Sequence, residues 1–483
     1  MMLRQEPVLT NPRRTKIIST LGPASRTPER VEALIKAGVN VFRLNFSHGT
    51  HAQHQEMLEC VRSSSDRLKM PVAILQDLSG PKIRISNVVG DYLNIEDDSE
   101  VLLKLSTGEE SDASTIYVEN LDPLKILAPD QQVLLADGII ELRSIRSTKE
   151  GVLCKITKGG RIRSRVGIAF PDSEIDLPAT TAKDLDDLEW GIKNKVDFVA
   201  ISFVNNARDV LKLREVALER KGDIRIIAKI ERKSALRNIG EILDVSDGVM
   251  VARGDLGLEL PLEQLPRIQK RLIEEGNYRG IPVIVATQML HSMIASVRPT
   301  RAEVSDIAAA VMSGADAVML SEETAIGENP VLAVEHLGRI AQEAEREFDF
   351  AEYKPRLRDA DKATISDAVA YAAAAAAVKV EADAVIACTE TGTSARLIAK
   401  YRPQQTLYGV STRDETIRRM ALYWGVIPVK IEVPSEKISE LQASIEAVQK
   451  IGNFSTGARA VVTSGLSAHM PGSTSVMEIR EFG

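Results

Sequence analysis

Cysteine is scarce in this chain of 483 residues, which has only Cys60, Cys154 and Cys388. The three lie far apart and show none of the short spacings that bind a structural metal ion. The same scarcity argues against a framework of disulfides, so we expect a cytoplasmic protein in a reducing compartment. No catalytic role is assigned to any of the three thiols, because a small buried or surface thiol is the simpler interpretation.

Long apolar runs and an excess of basic charge are also lacking. The first 16 residues do not form the apolar core of a secretory signal, and no segment offers the roughly 18 apolar residues that span a membrane. The formal net charge of −7 disfavours binding along a nucleic-acid backbone, which requires a basic surface. We therefore expect neither a membrane nor a nucleic acid as a partner.

Eight short apolar runs rich in β-forming residues alternate with helical segments. In the first connection, Thr27 is a candidate helix cap, Pro28 suits the first helical position and Gly38 suits the end of the helix. Eight such units predict a closed (β/α)₈ barrel, with an open doubly wound sheet as the alternative. The runs are residues 15–22, 39–47, 72–80, 198–204, 224–231, 248–255, 282–289 and 317–324.

One connection is far longer than the others and divides the barrel sequence. Short alternating strands follow residue 81, with candidate turns at Asp137–Gly138 and Gly159–Gly160. They predict an inserted all-β domain that covers the barrel mouth, although an insertion without a binding role is the alternative. We predict a catalytic barrel of residues 1–80 and 178–350, an inserted β-rich lid of residues 81–177, and a C-terminal α/β regulatory domain of residues 351–483.

Polar side chains replace apolar ones at the end of the second strand, in GVNVFRLNFSHG at residues 38–49. Because side chains repeat every two residues along a strand, one face should carry Val39, Val41, Arg43, Asn45 and Ser47. A strand that served stability alone would stay apolar at its end. The change to polar residues is typical of a strand that leads into an active site at the C-terminal mouth of a barrel.

Charged pairs end the fifth and sixth strands. Lys229 and Glu231 share one face, as do Arg253 and Asp255, and all four should meet Arg43 at the barrel mouth. A surface ion-pair network would explain either pair alone, but burying five charges together without a ligand is costly. Two carboxylates suit a magnesium-sized ion, and the cations suit a transferring phosphoryl group.

The glycine between the sixth-strand charges, Gly254, allows a ligand to approach the backbone closely. Its N–H and that of Asp255 would suit a carboxylate at the start of the next helix. The predicted substrate is thus an anion with a phosphate and a carboxylate, and the predicted chemistry is divalent-metal phosphoryl transfer.

At these residues the sequence closely resembles the pyruvate kinase family. The similar segments are, in order, TKIISTLGPAS, NVFRLNFSHG, AKIE, MVARGDLG, ATQML and RPTRAEVSD. The resemblance implies the last step of glycolysis, in which the phosphoryl group of phosphoenolpyruvate passes to ADP and gives ATP and pyruvate. It also implies Mg²⁺ or Mn²⁺ as cofactor, a C-terminal regulatory domain and a homotetramer.

The resemblance implies roles at matching positions of this chain. Glu231 and Asp255 would bind the divalent metal, and Lys229, with help from Arg43, would stabilise the phosphoryl group and the enolate. Substrate contacts would come from Arg43, Lys229, Gly254, Asp255 and Thr287, and Thr287 would also position the water that protonates the enolate. Nucleotide contacts would come from His48, Arg84 and Lys183, although Lys183 also suits a solvated helix position.

The family's potassium site is altered here. Asn45, Ser47 and Asp77 match its positions, but QDLSGPKIR departs from the common DTKGPEIR, so that Leu78 replaces threonine and Lys82 replaces glutamate. The ammonium group of Lys82 would supply the charge that potassium otherwise provides, as in members of the family with lysine here. We therefore expect no requirement for K⁺.

A second phosphate site is expected in the C-terminal region. The loop TETGTS follows a predicted strand and opens a helix, so that its hydroxyl and N–H groups suit an anion, although an ordinary helix cap is the alternative. The family places a sugar-phosphate effector here, and Glu390 in place of a basic residue favours a sugar monophosphate or a nucleotide. The loop 467–475 would cover that ligand. The effector residues would be Thr389, Thr391, Gly392, Thr393 and Ser394.

Two rival functions remain open at this stage. Another barrel that uses phosphoenolpyruvate would share the metal carboxylates, but it would need a phosphohistidine domain or a nucleophile that we do not find. A silent member that senses sugar phosphates would be expected to lack Lys229, Glu231 or Asp255, and all three are present.

Overall fold

The fold is described from a computed structural model, which covers residues 13–173, 175, 177–348, 350, 353, 359, 363–432, 437–465 and 474–483. Its first segment forms three strands and two helices: β1 (Lys16–Thr20), α1 (Pro28–Lys36), β2 (Val41–Asn45), α2 (His51–Leu68) and β3 (Ala73–Asp77). The Thr27 side chain caps α1 by accepting from the N–H of Arg30, and Gly38 turns the chain with φ of +104°. The predicted start and end of this helix are confirmed.

A β-rich segment follows β3 and has its own apolar core. Its elements are β4 (Leu93–Ile95), β5 (Glu100–Leu105), β6 (Thr115–Val118), α3 (Pro123–Ile126), β7 (Gln132–Leu135), β8 (Ile140–Ser147), β9 (Val152–Lys158), β10 (Gly160–Ile162) and β11 (Ile168–Ala169). One sheet has the order β11-β7-β8-β9-β5-β6, and β4 pairs with β10 separately. The predicted hairpin turn at Gly159–Gly160 is wrong, because Gly160 begins β10 and leaves the sheet that contains β9.

The chain then completes the barrel. The elements are α4 (Ala182–Lys193), β12 (Phe198–Ile201), α5 (Ala207–Glu219), β13 (Arg225–Ile230), α6 (Lys233–Arg237), α7 (Ile239–Asp244), β14 (Gly248–Ala252), α8 (Arg253–Glu259), α9 (Leu265–Arg279), β15 (Val283–Ala286), α10 (Arg301–Met312), β16 (Ala317–Leu320), α11 (Glu322–Ala325) and α12 (Pro330–Arg346). Short 3₁₀ turns lie at Leu262–Gln264 and His291–Ile294. Strands β1, β2, β3 and β12 to β16 close into one parallel barrel, which confirms the predicted fold.

Two apolar layers hold the barrel together, as expected for strands buried on both faces. Val41 and Leu75 lie in the inner layer, whereas Phe42 and Leu44 pack in the outer layer with the helices. The predicted alternation therefore holds within β2. It fails at Val39, which precedes the strand and packs in the outer layer.

The C-terminal region forms the predicted α/β domain. Its elements are α13 (Ile365–Lys379), β17 (Ala384–Cys388), α14 (Thr393–Lys400), β18 (Thr406–Ser411), α15 (Asp414–Met420), β19 (Val426–Lys430), α16 (Lys437–Gly452), β20 (Arg459–Ser464) and β21 (Val476–Glu481). They form a sheet of order β19-β18-β17-β20-β21, in which only β21 is antiparallel. A buried ion pair of 2.8 Å between Arg402 and Asp316 joins this domain to the barrel. Among the described helices, none is long and apolar enough to cross a membrane.

Candidate active site

Lys229 lies at the centre of the barrel mouth, near the C-terminal end of β13. Its Nζ is 2.7 Å from Ser202 Oγ, 2.9 Å from Glu231 Oε1 and 3.2 Å from Asp77 Oδ1. Burial opposes the charge on this lysine, but the carboxylates of Asp77 and Glu231 outweigh it and raise the pKa of Lys229 above its ordinary value. The two neighbouring carboxylates therefore favour the charged ammonium form of Lys229.

Asp77 joins the two cations that the sequence predicts at the mouth. Its Oδ2 accepts from Arg43 Nε at 2.6 Å, while its Oδ1 faces Lys229. Burial favours the neutral acid, but Lys229 and Arg43 outweigh burial and lower the pKa of Asp77. Arg43 also donates to Thr20 Oγ1 at 3.1 Å. The predicted convergence of Arg43 and Lys229 is thus present, with Asp77 as the group between them.

Glu231 and Asp255 line one cleft between the barrel mouth and the β-rich domain. Glu231 is buried and accepts from the N–H of Phe203 at 2.7 Å, whereas Asp255 is partly exposed and lies 3.5 Å from Lys82 Nζ. Burial raises the pKa of Glu231, and Asp255 adds to this effect against the charge of Lys229. These two carboxylates repel each other in a way that a shared cation would relieve.

The donor set fits a magnesium ion that completes its shell with water and substrate. Magnesium is commonly held by one or two carboxylates together with the oxygens of a phosphorylated substrate. Across the residues that the structure describes, no group of three or more His, Cys, Asp or Glu side chains is arranged to hold a metal ion. Two carboxylates alone would leave most positions around a bound ion to water or substrate oxygens.

Arg253 does not face these carboxylates, and the expectation that three cations would do so is wrong. β14 ends at Ala252, so Arg253 is already the first residue of α8. Its guanidinium donates to the carbonyl of Thr287 at 2.7 Å and pairs with Asp306 on α10. The turn into the helix redirects the side chain, and Arg253 supports the neighbouring Thr287 segment instead.

Thr287 lies next to Gly254 in a strained backbone segment. Its Oγ1 accepts from the N–H of Gly254 at 2.8 Å and donates to the carbonyl of Ala286 at 2.6 Å. Thr287 and Gln288 have φ of +70° and +55°, a conformation that costs a non-glycine residue about 1–3 kcal/mol. This segment therefore holds the Thr287 hydroxyl group in a defined position beside the N–H of Gly254.

The three predicted nucleotide contacts lie at the rim of the mouth. Burial lowers the pKa of His48, and the positive charges of Arg84, Arg43 and Lys82 lower it further. Arg84 donates to the carbonyl of Arg165 at 2.9 Å. Lys183 Nζ donates to the carbonyl of Phe46 at 2.8 Å and to Asp187 Oδ2 at 2.6 Å. Two of its three protons are therefore used within the protein.

The potassium positions offer few oxygen ligands. Both carboxylate oxygens of Asp77 face cations, and the Leu78 side chain is buried in the outer apolar layer. Asn45 Oδ1 accepts from the N–H of Ser47 at 3.2 Å, and Ser47 Oγ donates to Ser79 Oγ at 3.4 Å. The side-chain oxygens of Asn45, Ser47 and Asp77 are thus all engaged within the protein.

The predicted effector loop does connect a strand to a helix, between β17 and α14. Thr389 Oγ1 accepts from the N–H of Gly392, and the hydroxyl groups of Thr391 and Thr393 are 2.9 Å apart. Ser394 hydrogen-bonds to the hydroxyl of Thr474. Of the covering loop predicted at 467–475, residues 467–473 lie outside the described residues.

Sequence reasoning missed Ser202, which lies beside Lys229 and is 1% exposed. A signal was available, because Ser202 directly follows the strand FVAI, where a barrel strand meets the mouth. Phe203 was also missed, since a main-chain donor leaves no mark in the sequence. Its φ of +56° accompanies the hydrogen bond to Glu231.

Comparison with known proteins agrees with this geometry. Residues 12–334 match the model of the pyruvate kinase barrel domain, and residues 367–480 match that of the pyruvate kinase alpha/beta domain. The chain is 40% identical over 477 residues to pyruvate kinases of Staphylococcus aureus, including those of strains USA300, COL and bovine RF122. The match covers 98% of this chain and 81% of each relative.

A closed barrel with cations and carboxylates at its mouth, together with these relatives, defines a phosphotransferase enzyme. The two domain matches and the 40% identity over 98% of the chain identify the family of phosphotransferases. The chain belongs to the pyruvate kinase family.

Proposed function

We propose that this chain transfers the phosphoryl group of phosphoenolpyruvate to ADP and gives ATP and pyruvate. The observation that carries the proposal is the buried Lys229 ammonium group, fixed by Asp77 and Glu231 next to a cleft lined by Asp255. Phosphoryl transfer depends mainly on positioning and on stabilising charge, and this site supplies fixed positive charge at a cleft for an anion.

Lys229 and Arg43 would act on the phosphoryl group as it moves. Both are held by Asp77, so their positions need little reorganisation during the reaction. Lys229 would then stabilise the enolate that remains. The substrate carboxylate would lie near Thr287. It would replace the Thr287 hydroxyl group as the acceptor of the hydrogen bond from the N–H of Gly254. Thr287 would then position the water that protonates the enolate.

Glu231 and Asp255 would hold the divalent cation, Mg²⁺ or Mn²⁺. Asp255 would also contact the substrate. When bound, that cation neutralises charge on the substrate's oxygens. His48, Arg84 and Lys183 would contact the nucleotide, and the third Lys183 proton suits a phosphate oxygen. These assignments extend the family likeness to individual positions. The division of the chain into residues 1–80 with 178–350, 81–177 and 351–483 is part of the same proposal.

The proposal predicts that pyruvate forms from phosphoenolpyruvate only when ADP and Mg²⁺ are both present. The site needs a phosphoryl acceptor and a cation to offset the carboxylates. Reduction of pyruvate by lactate dehydrogenase, followed through NADH absorbance, measures the rate. Pyruvate formation without ADP would contradict a transferase, and no formation even with sugar phosphates added would favour the sensor function.

We also expect full activity without K⁺. Lys82 places a fixed positive charge 3.5 Å from Asp255, and Leu78 offers no side-chain oxygen. Rates in tetramethylammonium buffer and in K⁺ buffer should agree within about twofold, a free-energy difference below 0.5 kcal/mol. Lys82→Gln should lose activity and regain part of it with K⁺, whereas the exposed Lys125→Gln should not change. A large stimulation of the wild type by K⁺ would contradict this role of Lys82.

Allosteric activation by a phosphorylated metabolite is the regulatory part of the proposal. Hydroxyl groups cluster at the start of α14, and Glu390, which lies 3.6 Å from Arg413, disfavours a second phosphate. Glucose 6-phosphate, ribose 5-phosphate or AMP should lower the half-saturating phosphoenolpyruvate concentration by about fivefold or more. Steady-state titrations measure this, with Thr391→Ala as the loop variant. An unchanged response to all three ligands would count against the site.

A homotetramer accompanies this regulation in the proposal. On one side of α13, the apolar side chains of Tyr371 and Val378 lie two turns apart and are 47% and 57% exposed. An apolar stripe of this kind is typical of a surface that another subunit covers. A symmetric assembly would also couple effector binding in one subunit to substrate binding in the others.

A further inference from the structure

The hydroxyl group of Ser202 has a fixed orientation at the barrel mouth. Its Oγ donates to the carbonyl of Leu78 at 2.7 Å and is 2.7 Å from Lys229 Nζ. A hydroxyl group has one proton, and the carbonyl can only accept it. Ser202 therefore presents its lone pair to the lysine as an acceptor, in a position that is 1% exposed.

The surrounding backbone holds this serine in place. Leu78 donates its N–H to the carbonyl of Ala200 at 3.0 Å, which ties the end of β3 to β12 beside Ser202. Gly80 has φ of +65°, and a Cβ atom there would lie 2.9 Å from Ser202 Cβ. The close packing leaves the serine little room to turn away from Lys229.

Ser202 is the neutral member of the three groups around the ammonium. The Lys229 ammonium group donates a hydrogen bond to Ser202 and forms ion pairs with Glu231 at 2.9 Å and with Asp77 at 3.2 Å. The other two groups are carboxylates, and hydrogen bonds between charged groups are roughly twice as strong as those between neutral groups. Without the serine, one buried N–H would lose its acceptor, and the ammonium would close onto the carboxylates.

Glu231 is needed elsewhere, because the proposed function also assigns it to the divalent cation. Every contact that binds Lys229 more tightly to Glu231 competes with that cation. We infer that Ser202 is a positioning residue that holds Lys229 away from full pairing with Glu231 and thereby keeps this carboxylate available to a divalent cation. The inference rests on the proposed role of Glu231.

Ser202→Ala tests this inference, with Ser246→Ala as the matched control. Ser246 is also buried and donates to a carbonyl, that of Ile242, at 2.7 Å, but the described contacts place no lysine beside its hydroxyl. Both variants lose the same type of hydrogen bond, so a purely structural effect should appear in both. Thermal unfolding of each variant checks that the fold is kept.

The readout is the affinity for Mn²⁺, measured from the electron paramagnetic resonance signal of free Mn²⁺ without any turnover. Ser202→Ala should weaken Mn²⁺ binding by about fivefold to tenfold, and Ser246→Ala should not. Ser202→Cys, which keeps a weak acceptor, should lie between the wild type and Ser202→Ala. In kinetics, kcat should fall by about tenfold in Ser202→Ala with little change in the KM for phosphoenolpyruvate.

Equal Mn²⁺ affinity in Ser202→Ala and Ser246→Ala would overturn the inference, as would equal effects of alanine and cysteine at position 202. A failure of the proposed function looks different. In that case the wild type would form no pyruvate, whereas the Mn²⁺ titration would still report whether Ser202 affects the carboxylate.

Discussion

Lys229→Met should reduce phosphoryl transfer by about a thousandfold or more, because it removes the buried ammonium group that pairs with Glu231 at the edge of the cleft. The fold should survive. Methionine has a similar length, and Asp77 keeps its 2.6 Å pair with Arg43 after the lysine is lost. The rate of pyruvate formation measures the loss, and circular dichroism together with thermal unfolding checks the fold.

Lys233→Met is the matched control for this change. Lys233 begins α6 only four residues further along the chain, but its side chain is exposed to solvent. We expect this variant to keep wild-type turnover. Retained turnover in Lys229→Met would remove the lysine from its assigned role, even if the family assignment stood.

Glu231→Gln should abolish tight binding of the divalent cation, with Mn²⁺ affinity at least about 100-fold weaker. The amide keeps nearly the same shape, and its oxygen still accepts from the N–H of Phe203. It lacks the charge that a hard cation requires. Titration of Mn²⁺ by electron paramagnetic resonance measures the affinity, and turnover should fall in parallel.

Glu259→Gln separates a specific ligand from the general charge of the cleft. Glu259 lines the same cleft, but it accepts from the N–H of Lys233 at 3.2 Å and faces Arg232. We expect near-normal Mn²⁺ affinity in this variant. An equal loss in both variants would mean that the cation responds to the summed charge and that Glu231 is no ligand.

The fold was predictable because it depends on local patterns. Each of the eight apolar runs contains a barrel strand, and the Thr27, Pro28 and Gly38 signals bound α1 as expected. Strand and helix periodicities are repeated over many residues, so that a single unusual position does not hide them. The contrast between Phe42 and Arg43 on opposite faces of β2 follows from the same rule.

The site was predictable only where side chains stay within the strand pattern. Lys229 lies in β13, and Glu231 continues its pattern one residue past the strand because the next helix begins only at Lys233, so the two side chains meet. Arg253 lies one residue past β14, and its direction depends on how α8 begins, which no periodicity describes. Ser202 was missed for a related reason. Its role depends on a contact with Leu78, which is far away in sequence and comes close only because β3 and β12 are neighbours in the barrel.

The most direct test of the central claim follows the phosphoryl group itself. Phosphorus NMR of the wild-type enzyme with phosphoenolpyruvate, ADP and Mg²⁺ distinguishes transfer to nucleotide from release to water. We predict that the β- and γ-phosphate signals of ATP appear in step with the loss of phosphoenolpyruvate, and that Lys229→Met shows neither change. Loss of phosphoenolpyruvate with a matching rise of inorganic phosphate and no ATP would contradict the account.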